Sequence, residues 1–214
     1  MIDSDFSAKE KKLTYLALGD SYTIGEGVDE QDRYPNQLVG QLNKTGKFTF
    51  EAPLIIAKTG WTVDELESGI NASQTNPQGY DLVTLLIGVN NQYRGKSVLS
   101  FEKEFEAMLK RAIVFARGKK EHVIVVSIPD WGVTPFAKDR GSDQEKVARE
   151  IDAYNTAKAA ICSEYGVEFV EITEDYRQIG AKPEMVVADQ LHPSGLVYAR
   201  WTEKIFKIAN QIQF

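Results

Sequence analysis

The sequence predicts an α/β fold, a three-layer α/β/α domain around a five-stranded parallel sheet. Five short apolar runs alternate along the chain with segments in which apolar residues recur at helical spacing. The runs are apolar almost throughout, which is typical of parallel strands that are covered by helices on both faces. Because crossovers between parallel strands are right-handed, helices are expected on both sides of the sheet. Such sheets bind their ligands at the carboxyl ends of the strands.

The same pattern places the individual elements. Strands are predicted at 13–18, 54–57, 82–87, 122–128 and 167–170, and Pro35 suits the first turn of a helix. The apolar stripes of the predicted helices are, in chain order, Leu38, Val39 and Leu42; Val63, Leu66 and Ile70; Phe101, Phe105, Met108, Leu109, Ala112 and Phe115; Val147, Ile151, Tyr154 and Ile161; and Val197, Trp201, Ile205, Ile208 and Ile212.

Composition limits the classes of function. The chain has 214 residues, 43% of them hydrophobic and 26% charged, which suits one domain at 13–214 after a polar segment at 1–12. With a formal net charge of -6 there is no stripe of Lys and Arg to neutralise phosphates, so neither nucleic acid nor an anionic membrane is expected as a partner. Cys162 is the only cysteine, which excludes an internal disulfide and a zinc cluster built on thiolates.

The amino-terminal sequence bears on localisation. It lacks the apolar centre of a signal peptide, and no run approaches the roughly 18 apolar residues that a membrane-spanning helix requires. A cytoplasmic protein without an integral membrane segment is therefore expected. A leader removed before this start would instead indicate a periplasmic or secreted protein.

The first strand leads directly into a polar turn, in the stretch LALGDSYTIGEG. Ser21 follows Gly19 and Asp20 where this strand ends, which is the edge of the sheet at which ligands bind. Its hydroxyl is therefore a candidate nucleophile. The alternative is that these small polar residues only form the turn or cap the next helix.

A serine nucleophile needs a base, and the sequence contains only two histidines. His122 begins the fourth predicted strand, at the opposite edge of the sheet, and a structural position is favoured for it. His192 follows Asp189 in a D-x-x-H segment before the last helix. This spacing lets the carboxylate reach Nδ1 and leaves Nε2 free to accept a hydroxyl proton. The alternative is that Asp189 caps a turn and His192 caps the helix.

Acyl transfer also requires hydrogen-bond donors for the oxyanion that forms on the carbonyl oxygen. Gly60, after the second strand, presents a backbone N–H without a side chain, and Asn90, after the third strand, carries an amide donor. The N–H of Ser21 itself is a third candidate. Read alone, Gly60 forms a turn and Asn90 ends a strand.

Together these blocks resemble the SGNH hydrolases of the GDSL esterase/lipase superfamily. The resemblance rests on G-D-S near the amino end, an isolated glycine after strand two, G-x-N after strand three and D-x-x-H-P before the last helix. It spans almost the whole chain in the order of the family. It implies a flavodoxin-like sheet, Ser21 as nucleophile, His192 as base, Asp189 as the residue that orients His192, and an oxyanion hole of Gly60, Asn90 and the Ser21 amide.

Two positions depart from the family pattern. The third block commonly reads G-x-N-D, but Asn91 occupies the place of the aspartate. Because an amide oxygen still accepts hydrogen bonds, a structural adjustment with an intact oxyanion hole is expected. The first block reads G-D-S-Y where G-D-S-L is more frequent, so Tyr22 lies beside the candidate nucleophile and is expected to shape the acyl pocket.

The expected function is that of a serine esterase acting through an acyl-enzyme on small-molecule carboxylic esters: small to medium acyl esters, lysophospholipids, aryl esters or acetylated sugars. No metal or organic cofactor is expected. Tyr22, Trp61, Tyr93, Trp131 and Phe136 are predicted to line the substrate pocket. Two alternatives stay open: a catalytically silent binder of acylated ligands, and a flavodoxin-like module that binds a flavin or nucleotide.

Overall fold

The computed structural model describes residues 12–214, which form one five-stranded sheet, all parallel, in the order β2-β1-β3-β4-β5. This confirms the predicted fold class. The strands are β1 (Tyr15–Gly19), β2 (Leu54–Ala57), β3 (Leu82–Leu86), β4 (Val123–Val126) and β5 (Glu168–Val170).

Burial follows the position of each strand in the sheet. Every residue of β1, β3 and β4 is buried, whereas β2 and β5 lie at the edges and each contains an exposed residue. This agrees with uninterrupted apolar runs in strands that are covered on both faces.

Four of the strands, β1, β3, β4 and β5, are shorter than predicted, and polar contacts bound β4 at both ends. Leu13 forms only an isolated bridge with Phe50. His122 lies in a 3₁₀ turn, Lys120–His122, and its Nδ1 is 2.7 Å from the carbonyl oxygen of Asp81 at the amino end of β3. At the other end of β4, the Ile128 amide donates to the side chain of Asn155, at 2.8 Å, instead of to a neighbouring strand. β3 and β5 also differ from prediction by one residue, at the end of β3 and the start of β5.

Nine α-helices occur in the described residues. They are α1 (Ser21–Ile24), α2 (Tyr34–Lys44), α3 (Val63–Ala72), α4 (Val89–Tyr93), α5 (Val98–Phe115), α6 (Pro135–Asp139), α7 (Gln144–Tyr165), α8 (Thr173–Ile179) and α9 (Gly195–Ala209). Helices α2 and α9 pack together, and α5 packs against both α3 and α7. With right-handed crossovers, the first pair covers one face of the sheet and the second group covers the other. In residues 12–214 no helix combines the length and apolar character needed to cross a membrane.

Local sequence explains where the longer helices begin and end. Thr62 and Glu65 form a capping box at the start of α3, and the side chain of Asp143 accepts the Lys146 amide at the start of α7. Helix α7 ends at Gly166, which adopts the left-handed conformation with φ 64°. Because β1, β2 and β3 are parallel, the loops that follow them lie at the same edge of the sheet.

Candidate active site

The loops that follow β1, β2 and β3 surround one cavity of about 180 Å³ at the carboxyl edge of the sheet. Its polar lining comes from Ser21, Gly60, Asn90 and His192. The structure therefore brings together, at one site, residues that are widely separated in the sequence.

Ser21 is the first residue of α1, directly after a tight turn out of β1. The carboxylate of Asp20 accepts the Tyr22 amide at 3.0 Å and caps the helix. Gly19 is needed for this turn, because a Cβ there would lie 2.1 Å from Thr23 Oγ1 and 2.3 Å from the carbonyl oxygen of Leu86. Ser21 is 3% exposed. The turn thus presents the hydroxyl to the cavity while holding the backbone of Ser21 in place.

Two buried ionisable side chains, Asp20 and Lys158, lie near this turn. Burial raises the pKa of Asp20 to about 7, although the Tyr22 amide and Lys158 oppose the rise. Lys158 of α7 is fully buried and donates to the carbonyl oxygens of Ile87, at 3.0 Å, and Val126, at 2.7 Å. Burial lowers the pKa of Lys158 to about 7. Lys158 therefore ties the ends of β3 and β4 together beneath the site.

Sequence reasoning missed Lys158, although a signal was present. It lies on the apolar stripe of α7, in register with Ile151, Tyr154 and Cys162. A lysine at such a position points into the core, where its ammonium must find acceptors.

Asp189 holds His192 in a defined orientation. His192 Nδ1 lies 2.5 Å from Asp189 Oδ2, and the amides of Leu191 and His192 both donate to Asp189 Oδ1 at 2.9 Å. Burial alone would raise the pKa of Asp189, but these three hydrogen bonds and the His192 charge together lower it below its ordinary value. Gln190 accommodates the tight loop with φ 62°. With Nδ1 engaged, Nε2 is the ring nitrogen available to a substrate or nucleophile.

Ser21 and His192 face the same cavity without a direct hydrogen bond between their side chains in residues 12–214. Such contacts commonly tighten only when substrate binds. The ring of Tyr22 lies 5.4 Å from the imidazole and 6.2 Å from the Trp201 ring, measured between centroids. The Tyr22 ring therefore packs between the imidazole and the Trp201 ring, and it also lines the cavity.

The oxyanion candidates follow β2 and β3. Gly60 has φ 86°, and its carbonyl oxygen accepts Arg94 Nη2 at 2.6 Å, which fixes the orientation of the loop. Asn90 Nδ2 donates to the Trp61 carbonyl oxygen at 3.0 Å, which leaves its second N–H for another acceptor. The Ser21 amide is in the first turn of α1, where N–H groups lack acceptors within the helix.

Asn91, the departure from the family pattern, lies outside the cavity. Its Oδ1 accepts the Val63 amide at 3.1 Å, at the start of α3, and its Nδ2 donates to Glu104 Oε2 of α5 at 2.9 Å. An aspartate could make the first contact, but only an amide also provides a donor for Glu104. The asparagine at position 91 therefore complements the Glu104 carboxylate of α5, to which it donates.

Asn91→Asp is expected to lower the free energy of unfolding by about 1–3 kcal/mol near neutral pH, since two carboxylates that are partly shielded from water would then face each other. Urea unfolding of Asn91→Asp, Glu104→Gln and the double variant measures this. In the double variant the glutamine amide introduced on α5 can donate to the new carboxylate, so most of the loss should be recovered. An Asn91→Asp protein as stable as the wild type would contradict this account of Asn91.

Four of the five predicted pocket aromatics line the cavity: Tyr22, Tyr93, Trp131 and Phe136. Trp61 does not line this cavity. Its ring lies over Gly69 of α3, where an added Cβ would come within 2.0 Å of the indole. The absence of a side chain at Gly69 creates the space that Trp61 fills, so the ring packs on α3, while the Trp61 carbonyl oxygen accepts a hydrogen bond from Asn90.

The structure adds three residues to the lining that sequence reasoning did not select: Thr59, Val89 and Leu191. Each is the immediate neighbour of a selected residue, and this adjacency was the available signal. As for metals, residues 12–214 contain no group of three or more His, Cys, Asp or Glu side chains placed to hold an ion. A hydroxyl, an imidazole fixed by a carboxylate and several N–H donors around one cavity are the groups that acyl transfer uses.

Comparison with solved structures supports the fold. The chain is similar to TesA, with 19% identity, a TM-score of 0.69, and coverage of 91% of this chain and 97% of TesA. It is also similar to a lipase/acylhydrolase from Enterococcus faecalis, with 17% identity, a TM-score of 0.72, and coverage of 94% of this chain and 97% of that protein. A third similar structure is that of Axe2, an acetylxylan esterase from Geobacillus stearothermophilus. The identity is 16% and the TM-score 0.71, and the match covers 94% of this chain and 95% of Axe2.

No curated protein matches the chain significantly by sequence. A family model, however, matches residues 17–200, a range that includes both the G-D-S turn and the D-x-x-H loop. The chain belongs to the GDSL-like Lipase/Acylhydrolase family and is a carboxylic ester hydrolase.

Proposed function

We propose that the protein is a serine esterase in which Ser21 is the nucleophile, His192 the general base and Asp189 the residue that orients His192. The observation that carries this proposal is the contact between Asp189 and His192 Nδ1 at a cavity that Ser21 also lines. A flavin or nucleotide module would leave this pair of side chains without a role.

The reaction proceeds in two steps. Ser21 Oγ attacks the ester carbonyl while His192 Nε2 takes the hydroxyl proton, and His192 then gives that proton to the departing alcohol. In the second step His192 takes a proton from water as that water attacks the acyl-enzyme, and it then returns the proton to Ser21 Oγ as the acid departs. Asp189 stays ionised throughout, because three hydrogen bonds favour its carboxylate, and it stabilises the imidazolium that forms in each step.

The negative charge that develops on the carbonyl oxygen is placed among three donors. These are the Ser21 amide, the Gly60 amide and the second N–H of Asn90. All three are held before substrate binds: by the capped turn of α1, by Arg94 on the Gly60 carbonyl, and by the bond from Asn90 to Trp61. Donors fixed in this way stabilise the transition state without reorganising, and each is worth about 10²–10³ in rate.

The proposed substrates are carboxylic esters with small to medium acyl groups, among them aryl esters and acetylated sugars. The lining of the cavity supports this, because the side chains of Tyr93, Trp131, Phe136 and Leu191 provide an apolar surface beside the reacting groups. The similarity to Axe2, an acetylxylan esterase, is one reason to include acetylated sugars.

A fluorophosphonate probe tests the proposal, because it reacts with an activated serine and not with ordinary hydroxyls. We expect one adduct per chain, on the peptide that contains Ser21, together with loss of p-nitrophenyl acetate hydrolysis in proportion to labelling. Heat-unfolded protein is the control and should not react. An adduct on a different serine, or binding of the probe without a covalent adduct and without ester hydrolysis, would favour another site or a silent binder.

A further inference from the structure

The cavity at the site ends at two aromatic side chains, Tyr93 and Trp131. Their rings meet edge to face, with centroids 5.2 Å apart. A second cavity, of about 300 Å³, lies beyond them and is lined by the same two residues. Tyr93 and Trp131 therefore separate the two cavities, and we call this pair the aromatic wall.

Trp131 is fixed in the aromatic wall by hydrogen bonds at both ends. Its Nε1 donates to Gln92 Oε1 at 2.8 Å, and Gln92 Nε2 donates to Glu150 at 2.7 Å. The Trp131 carbonyl oxygen accepts the Thr134 hydroxyl at 2.7 Å. Trp131 and Gln92 are 7% and 5% exposed, so rotation of the indole would leave a buried N–H without an acceptor. Trp131 is thus the rigid part of the wall.

The positions of the catalytic groups decide which part of an ester faces the aromatic wall. The departing alcohol must lie beside His192, because that residue returns the proton. Tyr22 packs against the His192 ring, and the Phe136 amide donates to the carbonyl oxygen of Gln190 in the His192 loop, so both lie on the alcohol side. The acyl group is therefore assigned to the remaining aromatic lining, Tyr93 and Trp131.

On the basis of the proposed serine esterase function, we propose that the aromatic wall restricts the enzyme to esters of short acyl groups, from acetyl to butyryl, and that Trp131 sets this limit. The cavity of about 180 Å³ must hold the ester group as well as the acyl chain. It is smaller than the roughly 300–1,000 Å³ of pockets that enclose drug-sized ligands. An octanoyl chain would have to pass through the position of the indole.

The space beyond the wall explains what removal of the indole should do. The second cavity is lined by the aromatic wall and Val147 and, around them, by polar side chains that include Ser142, Lys146 and Glu150. Trp131→Ala would join the two cavities and give a longer chain room to extend past Val147. Because single methylene contacts change kcat/KM by about 10–200-fold, the ratio of kcat/KM for octanoate to that for acetate should rise at least about tenfold.

The experiment compares p-nitrophenyl acetate, butyrate and octanoate as substrates of the wild type, Trp131→Ala, Tyr93→Ala and Leu99→Ala. Tyr93 is 53% exposed, so its removal opens the same wall with less risk to folding. Leu99 of α5 is exposed and lies outside both cavities, and it is the control for loss of a large apolar side chain. We expect the wild type and Leu99→Ala to prefer acetate and butyrate. Both wall variants should shift the ratio toward octanoate.

The outcomes distinguish a failure of the wall proposal from a failure of the proposed esterase function. If the wild type hydrolyses short esters and the ratio stays unchanged in both folded wall variants, the proposal for the wall is overturned and the esterase function stands. A wild type that prefers octanoate would also overturn it. If the wild type hydrolyses none of the esters, the proposed function itself fails and the wall proposal fails with it.

Discussion

Ser21→Ala should lower kcat for p-nitrophenyl acetate by about 10⁴–10⁶, as loss of the nucleophile does in other serine hydrolases. His192→Ala should cost a similar factor, because a serine hydroxyl without a base is a poor nucleophile. The double variant should lose little more than either single variant, since the two side chains act as one unit. A residual rate above that in water is expected from the oxyanion donors, which both variants keep.

Steady-state kinetics and urea unfolding, measured on the same preparations, check this result. Ser68→Ala is the matched control, because Ser68 is an exposed serine of α3 that bonds only to the Asp64 carbonyl oxygen, at 3.0 Å. It should leave kcat unchanged. If Ser21→Ala retained more than about a tenth of the wild-type kcat while folded, the assignment of Ser21 as nucleophile would be wrong.

Asp189→Asn is expected to lower kcat by about 10⁴ without a large loss of stability, by analogy with the same substitution in other triads. The reason lies in the two oxygens of Asp189. Oδ1 accepts the Leu191 and His192 amides, so the asparagine must keep its carbonyl oxygen there. Its NH₂ group then faces His192 Nδ1 and forces that atom to accept a hydrogen bond. The proton moves to Nε2, which can no longer take the proton of Ser21.

The measurement is kcat against pH together with thermal unfolding, with Asp139→Asn as control, since Asp139 is exposed at the end of α6. The control should match the wild type in both. Loss of activity together with a large drop in melting temperature would mean that Asp189 mainly shapes the loop. An Asp189→Asn enzyme with nearly full kcat would remove Asp189 from the mechanism.

The fold could be predicted from the sequence because its main determinants are local. Uninterrupted apolar runs such as 82–87 identify buried strands, and the turn residues after them lie at the carboxyl edge by topology alone. Ser21, Gly60 and Asn90, which line the cavity, were selected in this way. The D-x-x-H spacing is also local, and Asp189 and His192 do contact each other as that spacing predicts.

The positions that sequence alone could not predict depend on contacts between distant segments, which no local pattern encodes. Trp61 was placed in the pocket because it follows a strand, but the space over Gly69 decides where the ring packs. The role of Asn91 becomes clear only when Glu104 of α5 is seen beside it. The apolar stripe of α7 predicts that Lys158 is buried. Its two carbonyl acceptors, however, come from the ends of different strands, and no local pattern predicts them.

The docking of α9 on α2 has a consequence for how the activity arises during synthesis. His192 immediately precedes α9, and α9 is held against the amino-terminal part of the chain by Gln37, which donates to the Gly195 carbonyl oxygen at 3.3 Å, and by Thr202, which donates to that of Tyr34 at 3.4 Å. A nascent chain therefore exposes Ser21 long before His192 is synthesised. Under the proposed mechanism, hydrolysis requires α9 to be docked on α2, so a molecule in which these two helices have not packed together contributes protein but no activity.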